Sequence, residues 1–359
     1  MNFTDVALQT LEASIFDRTL AAIDEQFAQR PLVQARLLQT MATTLRGLGL
    51  YDTATAPQVE ALKIRRHVLG DGRSDTIDSL VALGLLLQRQ DRHAEAEPHL
   101  REAVDAAMRE LGGRHRTTIW AINALGVLLH GVGAYAESER RFREALGFAR
   151  DVLDEDDRLA MALCGNLGFA LERQEGRRAE AERLYEQTLR HRRRVLGNDH
   201  VDTLWSLLRM GVVLREQGRL VDAEPYLREA VDGYRRVQGE AHWRTHWAIY
   251  HRGVLLRELG VLDEAASLAT EAVELSRRAV PPAHGDTALF LVSQGQALTA
   301  LERFGEAEAT LLEARALFER SGVSVAPAAG DFSAALAEAF VNLYEAWDSA
   351  EPGDAERPR

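Results

Sequence analysis

The chain has 359 residues, 46% of them hydrophobic and 27% charged, and a formal net charge of −12. That composition supports a packed core, argues against the basic footprint of a nucleic-acid binder and, with a single cysteine, excludes an internal disulfide framework or a thiolate metal cluster. There is no 18-residue apolar run and no basic n-region before an apolar core in MNFTDVALQTLEASIF, so neither a membrane span nor a secretory signal is expected, and the expected location is the cytoplasm.

Residues 1–30 are expected to form an N-terminal capping helix or helix pair, ending at Pro31, a residue suited to the first turn of the next helix. From there a period governs the chain. A small residue recurs at Ala42, Gly84, Gly126, Gly168, Gly211, Gly253 and Gly295, with spacings of 42, 42, 42, 43, 42 and 42. Three residues after each stands a leucine, from Leu45 through Leu214 to Leu298. A second small residue follows at Ala54, Ala96, Ser138, Ala181, Ala223, Ala265 and Ala307, and a third seven residues later, from Ala61 to Ala314. Small residues permit close helix approach, and the leucines fill the stripe beside them. Gly133, Gly218 and Gly260 suit the turn between two helices, and LGDG, LGGRH, LGND and VQGEAH stop the second helix. Each unit is thus a helical hairpin that buries its apolar face only by stacking on copies of itself. The units run over about 31–71, 72–113, 114–155, 156–198, 199–240, 241–282 and 283–321. SGVSVAPAAGD then breaks the period; FSAALAEAFVNLYEAW (332–347) predicts a C-terminal capping helix, and 348–359 a disordered tail.

The spacing of Ala96–Leu100–Ala103, Ser138–Phe142–Ala145, Ala223–Leu227–Ala230 and Ala307–Leu311–Ala314 resembles the tetratricopeptide repeat. The 42-residue period is similar to the longer subtype of kinesin light chains, as is Gly197-Asn198-Asp199-His200-Val201-Asp202-Thr203, with weaker copies at Gly239…His242…Thr245 and His284…Thr287. Departures are Gln58 and Ala269 in place of a large apolar residue, and Arg252 and Gln294 in place of leucine or methionine. The resemblance implies an all-α, right-handed α-solenoid of about seven hairpins over residues 31–321, with capping helices at both ends. DRTLAAIDEQFAQRPLVQARLLQTMATTLRGLGLYDTA and LYEAWD also resemble the ends of the repeat arrays that follow the kinase domain in some bacterial serine/threonine kinases. The chain holds no kinase motif of its own: Asp331-Phe332-Ser333 is not D-F-G.

Candidate chemistry is sparse. Gly131-Val132-Gly133-Ala134-Tyr135-Ala136 matches G-x-G-x-x-A but lies between two helices, not after a strand. His115, His200, His242 and His284 recur about one repeat or more apart, too far to share a metal, and are expected to cap the next helix. HWRTH lacks the glutamate of a zinc-protease helix. Cys164 takes an aliphatic core slot. No catalytic set, cofactor or metal is expected, and the chain is not expected to be an enzyme.

The resemblance implies that the first helix of each hairpin lines a concave groove. Counting from each small residue places Asp78, Val81, Gln88 and Arg89 outward in the second repeat, and Trp120, Asn123 and His130 in the third. Asn166, Phe169 and Arg173 follow in the fourth, Trp205, Arg209, Val212 and Arg215 in the fifth, and Trp247, Tyr250, His251 and Arg257 in the sixth. Asn123 and Asn166 match the asparagine-rich groove of the kinesin-light-chain subtype, where the resemblance implies that they grip peptide backbone. Aromatic, arginine and asparagine side chains together suit an extended peptide, and their positive charge suits an acidic or phosphorylated one. The expected function is therefore a non-enzymatic protein-interaction scaffold, with the sensor arm of a bacterial signalling protein such as a serine/threonine kinase as the alternative; nucleic-acid and membrane partners are not expected.

Overall fold

The computed structural model describes residues 16, 18–48, 50–278, 284–321 and 332–351. All regular structure among them is helical: an all-α solenoid of seven hairpins flanked by capping helices. A short helix α1 covers residues 18–27. The hairpins are α2 (Pro31–Gly47) with α3 (Tyr51–Leu69), α4 (Ser74–Arg89) with α5 (His93–Glu110), α6 (Arg116–Gly131) with α7 (Tyr135–Ala149), and α8 (Arg158–Glu172) with α9 (Arg178–Leu196). They continue as α10 (Val201–Glu216) with α11 (Leu220–Gln238), α12 (Trp243–Glu258) with α13 (Leu262–Arg278), and α14 (His284–Ala300) with α15 (Phe304–Ser321). The last helix, α16 (Phe332–Ala350), packs on α14 and α15. It carries through Asp348, Ser349 and Ala350, which the composition had put in the tail; residues 352–359 of the expected tail and most of the expected N-terminal cap lie outside the described residues.

The chain divides into two compact units between Leu163 and Cys164, inside α8. In the first, α4 packs on α5 and on α6 of the next hairpin; in the second, α12 packs in the same way on α13 and α14. The repeated small residue explains the pairing. A Cβ on Gly84 would stand 2.5 Å from Leu100 Cγ, and one on Gly211 2.5 Å from Leu227 Cγ, so a large side chain from the second helix occupies the space that glycine leaves. The exceptions follow from the departures in sequence. Ala269 puts no large side chain over Gly253, whose nearest side-chain atom is 3.4 Å away. Buried Gln58 instead donates from Nε2 to the Ser79 carbonyl at 3.0 Å.

Two local devices set the turns. Gly197 and Gly239 close their helices with φ of +85° and +75°, the left-handed region that costs other residues about 1–2 kcal/mol. The threonine of the inter-repeat motif then ties the next helix back: Thr203 Oγ1 donates to the Gly197 carbonyl at 2.8 Å and Thr245 Oγ1 to that of Gly239 at 2.7 Å, as Thr76 and Thr118 do in the first unit. The recurrent histidines cap. Nδ1 of His115, His200 and His242 accepts the backbone N–H of Thr117, Asp202 and Arg244 at 3.1–3.2 Å. This satisfies one of the donors that every helix start leaves open. The side chain of His284 lies outside the described set.

On the second helices, arginines and glutamates 36 residues apart join neighbouring repeats: Arg101–Glu137 at 3.3 Å, Arg193–Glu229 and Arg277–Glu313 at 2.5 Å, and Arg66–Glu102 and Arg235–Glu271. These pairs are partly exposed, so each contributes at most about 1 kcal/mol.

Candidate functional site

The face formed by the first helices differs between the two units. In the first, Arg89 is exposed at the end of α4, while Trp120 and Asn123 on α6 are half-buried. Val81 and His130 are in the core rather than on an open face, with His130 3% exposed and its ring edge-on to Tyr135 at 5.2 Å. Gln88 reaches the neighbouring repeat, donating to the Val127 carbonyl at 3.3 Å. Burial raises the pKa of Asp78, against a hydrogen bond from Thr117 that lowers it.

In the second unit, Asn166, Phe169 and Arg173 of α8, Trp205 and Arg215 of α10, and Trp247, Tyr250, His251 and Arg257 of α12 are all half-buried. Val212 is buried, and Arg209, expected outward, is only 6% exposed. Its guanidinium bonds to the Glu172 carboxylate and lies 4.5 Å from the ring centre of Phe169 and 5.8 Å from that of Trp205. Glu172 also accepts from the Tyr185 hydroxyl at 2.7 Å. A buried ion pair survives only when its remaining polar atoms are satisfied, and the tyrosine supplies that bond. Burial lowers the Arg209 pKa to about 10, which still leaves it charged, and pushes the Tyr185 hydroxyl well up.

The surrounding arginines are not a bare positive patch. Arg215 pairs with Glu258 at 3.1 Å, and Arg173 lies 3.9 Å from Glu172. Glu216 faces Arg178 at 3.3 Å, and this pair lines a hollow of about 280 Å³ with Glu172, Arg173, Gln174 and Glu175. The expected excess of positive charge is therefore largely neutralised within the protein. The acids were open to view in the sequence, in the slots four and five residues after each glycine: Glu172-Arg173, Arg215-Glu216 and Arg257-Glu258.

The aromatic part is centred on Trp247. Its Nε1 donates to Asp286 at 3.1 Å, and its ring is 5.5 Å from both Tyr250 and His251 and 5.6 Å from Phe290. His251 also meets Tyr250 at 5.0 Å. Burial first, and then Arg215, Arg209 and Arg173, hold the His251 pKa well below its usual value, so the ring is neutral near pH 7. Cys164 is half-buried. Among the described residues no group of three metal-ligating side chains comes together, and no helix is long and apolar enough to cross a membrane.

These hairpins place the chain among known repeats. The family model for the tetratricopeptide repeat matches residues 33–107, 75–151 and 158–236, more than half of the chain, and the chain belongs to the tetratricopeptide repeat family. Its 42-residue unit is the kinesin-light-chain-like form. No curated protein matches it in sequence. Among solved structures it is similar to BtubC (BKLC) of P. vanneervenii, at 20% identity and a TM-score of 0.53, over 65% of this chain and 92% of that one. It is also similar to the apo form of RapI (12%, TM-score 0.57, 80% and 99%). A third is the Rap conjugation gene regulator of plasmid pLS20, solved with the Phr* peptide (13%, TM-score 0.57, 93% and 80%). At these identities the likeness concerns the fold.

Proposed function

We propose that the chain is a non-enzymatic interaction scaffold that holds an extended peptide or partner segment against the first-helix face of its second unit. The observation that carries this reading is that Trp205 with Arg215 on α10, and Trp247 and Tyr250 with Arg257 on α12, are all half-buried on first helices. Partly exposed aromatics supply contact area at small entropic cost, and guanidinium groups take the carboxylates or phosphates of an acidic or phosphorylated segment. Rap proteins of similar fold, solved with the Phr* peptide and with competence and sporulation factor, lend support to a peptide ligand.

The test is a peptide array sampling acidic, phosphorylated and neutral sequences, probed with the full chain and with a Trp205→Ala/Trp247→Ala variant. Selective capture of acidic or phosphorylated peptides that falls at least tenfold in the variant, with helicity retained by circular dichroism, is the expected result. Equal capture by both proteins would make this face structural. Arg209 is left intact in this test, because its loss would disturb the Glu172 pair rather than a ligand contact.

A further inference from the structure

Among the described turns between hairpins, four share one set of fastenings, and the turn from α7 to α8 departs from it. Gly70, Gly112, Gly197 and Gly239 turn the chain out of the second helix at φ of +75° to +85°. Six residues later Thr76, Thr118, Thr203 and Thr245 donate from Oγ1 to the carbonyls of those glycines. Between α7 and α8 the matching positions hold Asp154 and Ala160. Asp154 does not adopt the positive φ of the glycines, and alanine has no hydroxyl to donate. The helix ends accordingly. α7 stops at Ala149, whereas α9 runs on to Leu196, the counterpart of Leu153. Residues 150–157 then bridge to α8, against 70–73, 111–115, 197–200 and 239–242 at the other turns. A longer non-helical stretch has more backbone freedom to lose when it is fixed, and so opens more readily.

Asp157 stands where His115 and His200 stand in their turns, and it takes over the start of α8. Its Oδ1 accepts the Leu159 N–H at 2.7 Å, and its two carboxylate oxygens accept from Arg116, at the start of α6, at 2.5 and 3.2 Å. The Arg116 guanidinium holds the Asp157 carboxyl below the usual carboxylate range. Both side chains reach solvent, as do Arg114 and Asp151, which pair at 2.8 Å. Ion pairs placed in this way contribute little. A cap and solvent-exposed charge pairs thus replace a glycine stop and a threonine tie.

We propose that the turn 150–157 is a built-in opening point, at which the start of α8 releases from Arg116 and from its turn while the other hairpins stay folded. The helix that is released bears Asn166, Phe169 and Arg173 further along, but the proposal does not depend on the scaffold reading.

Hydrogen exchange of the full chain tests this at one bond. The Met161 N–H donates to the Asp157 carbonyl at 3.0 Å, and Ile77, Ile119 and Leu204 make the equivalent bond at 3.0–3.1 Å in their turns. With intrinsic rates corrected for sequence, Met161 is expected to be protected about tenfold less, or lower still, than those three amides. Asp154→Gly/Ala160→Thr, which supplies the stop and the tie, should raise the Met161 protection by about the same factor and leave Leu204 unchanged. Asp157→Asn, which keeps a capping oxygen and loses the charge pair with Arg116, should lower it. Equal protection of the four amides in the unaltered chain overturns the proposal, and that readout needs no variant to fold. So does a folded Asp154→Gly/Ala160→Thr chain in which Met161 exchanges as before. No peptide is present in these measurements, so they decide the turn alone, and peptide capture decides the scaffold reading.

Discussion

Hairpins three and five share one skeleton and build different faces from it. Gly126 receives Phe142 and Gly211 receives Leu227 at the same close contact. Two residues before that glycine stands Ala124 in one and Arg209 in the other, 1% and 6% exposed. Alanine completes an apolar layer in the first unit. Arginine at the equivalent place in the second brings a charge into the core, and with it Glu172, Tyr185 and the Phe169 and Trp205 rings that its guanidinium lies over. The lesson is that in a repeat array the skeleton positions set the fold, while one interior slot decides whether a face is apolar or polar.

The largest effect expected from breaking this contrast is at the buried pair. Arg209→Met leaves Glu172 buried without its cation and should cost about 3–5 kcal/mol in urea unfolding; the double variant Arg209→Met/Glu172→Met should recover most of that loss. No recovery would mean that the pair is not the unit that stabilises this layer. Next comes the skeleton itself. Gly211→Leu must displace Leu227, which a Cβ would already approach to 2.5 Å, and should cost about 1–3 kcal/mol or more, whereas Gly253→Ala has 3.4 Å to its nearest side-chain atom and should unfold near the wild-type midpoint. Equal losses at both sites would refute the fit described here.

The smallest effect sharpens the role of the inter-repeat histidines. Burial, with Arg244 and His246, lowers the His242 pKa from 6.5 to about 4. The folded state thus favours the neutral ring, whose Nδ1 accepts the Arg244 N–H. The stability it contributes is fully present above pH 6.5 and is lost as the pH falls towards about 4. His246 and His251 shift in the same direction and add to the trend. Urea midpoints should fall across that window, and less steeply in His242→Asn, which keeps an N-cap without a titrating ring.

The histidine caps, the glycine stops and the small residues at 42-residue spacing were legible in the sequence because each acts locally: a turn needs positive φ, a helix start needs an acceptor, a close helix contact needs the absence of a side chain. Even the departures were readable, since Ala269 foretells the loose contact at Gly253. The partial exposure of Trp205, Trp247 and Tyr250 agrees with counting positions along their helices. The exposure of Arg209 and His130 does not. Counting positions on a helix tells which way a residue faces and not what stands opposite.

Sequence alone therefore determined the period, the helix pairs and the residues that make them, through the 3.6-residue repeat of the helix and the chemistry of turns. Tertiary structure alone decided the partner of each charge. Arg209 and Glu172 are 37 residues apart, Arg215 and Glu258 43, and they meet only after neighbouring hairpins have stacked. Which carboxylate holds an arginine of this face is settled by that meeting, and no count of positions along one helix gives it.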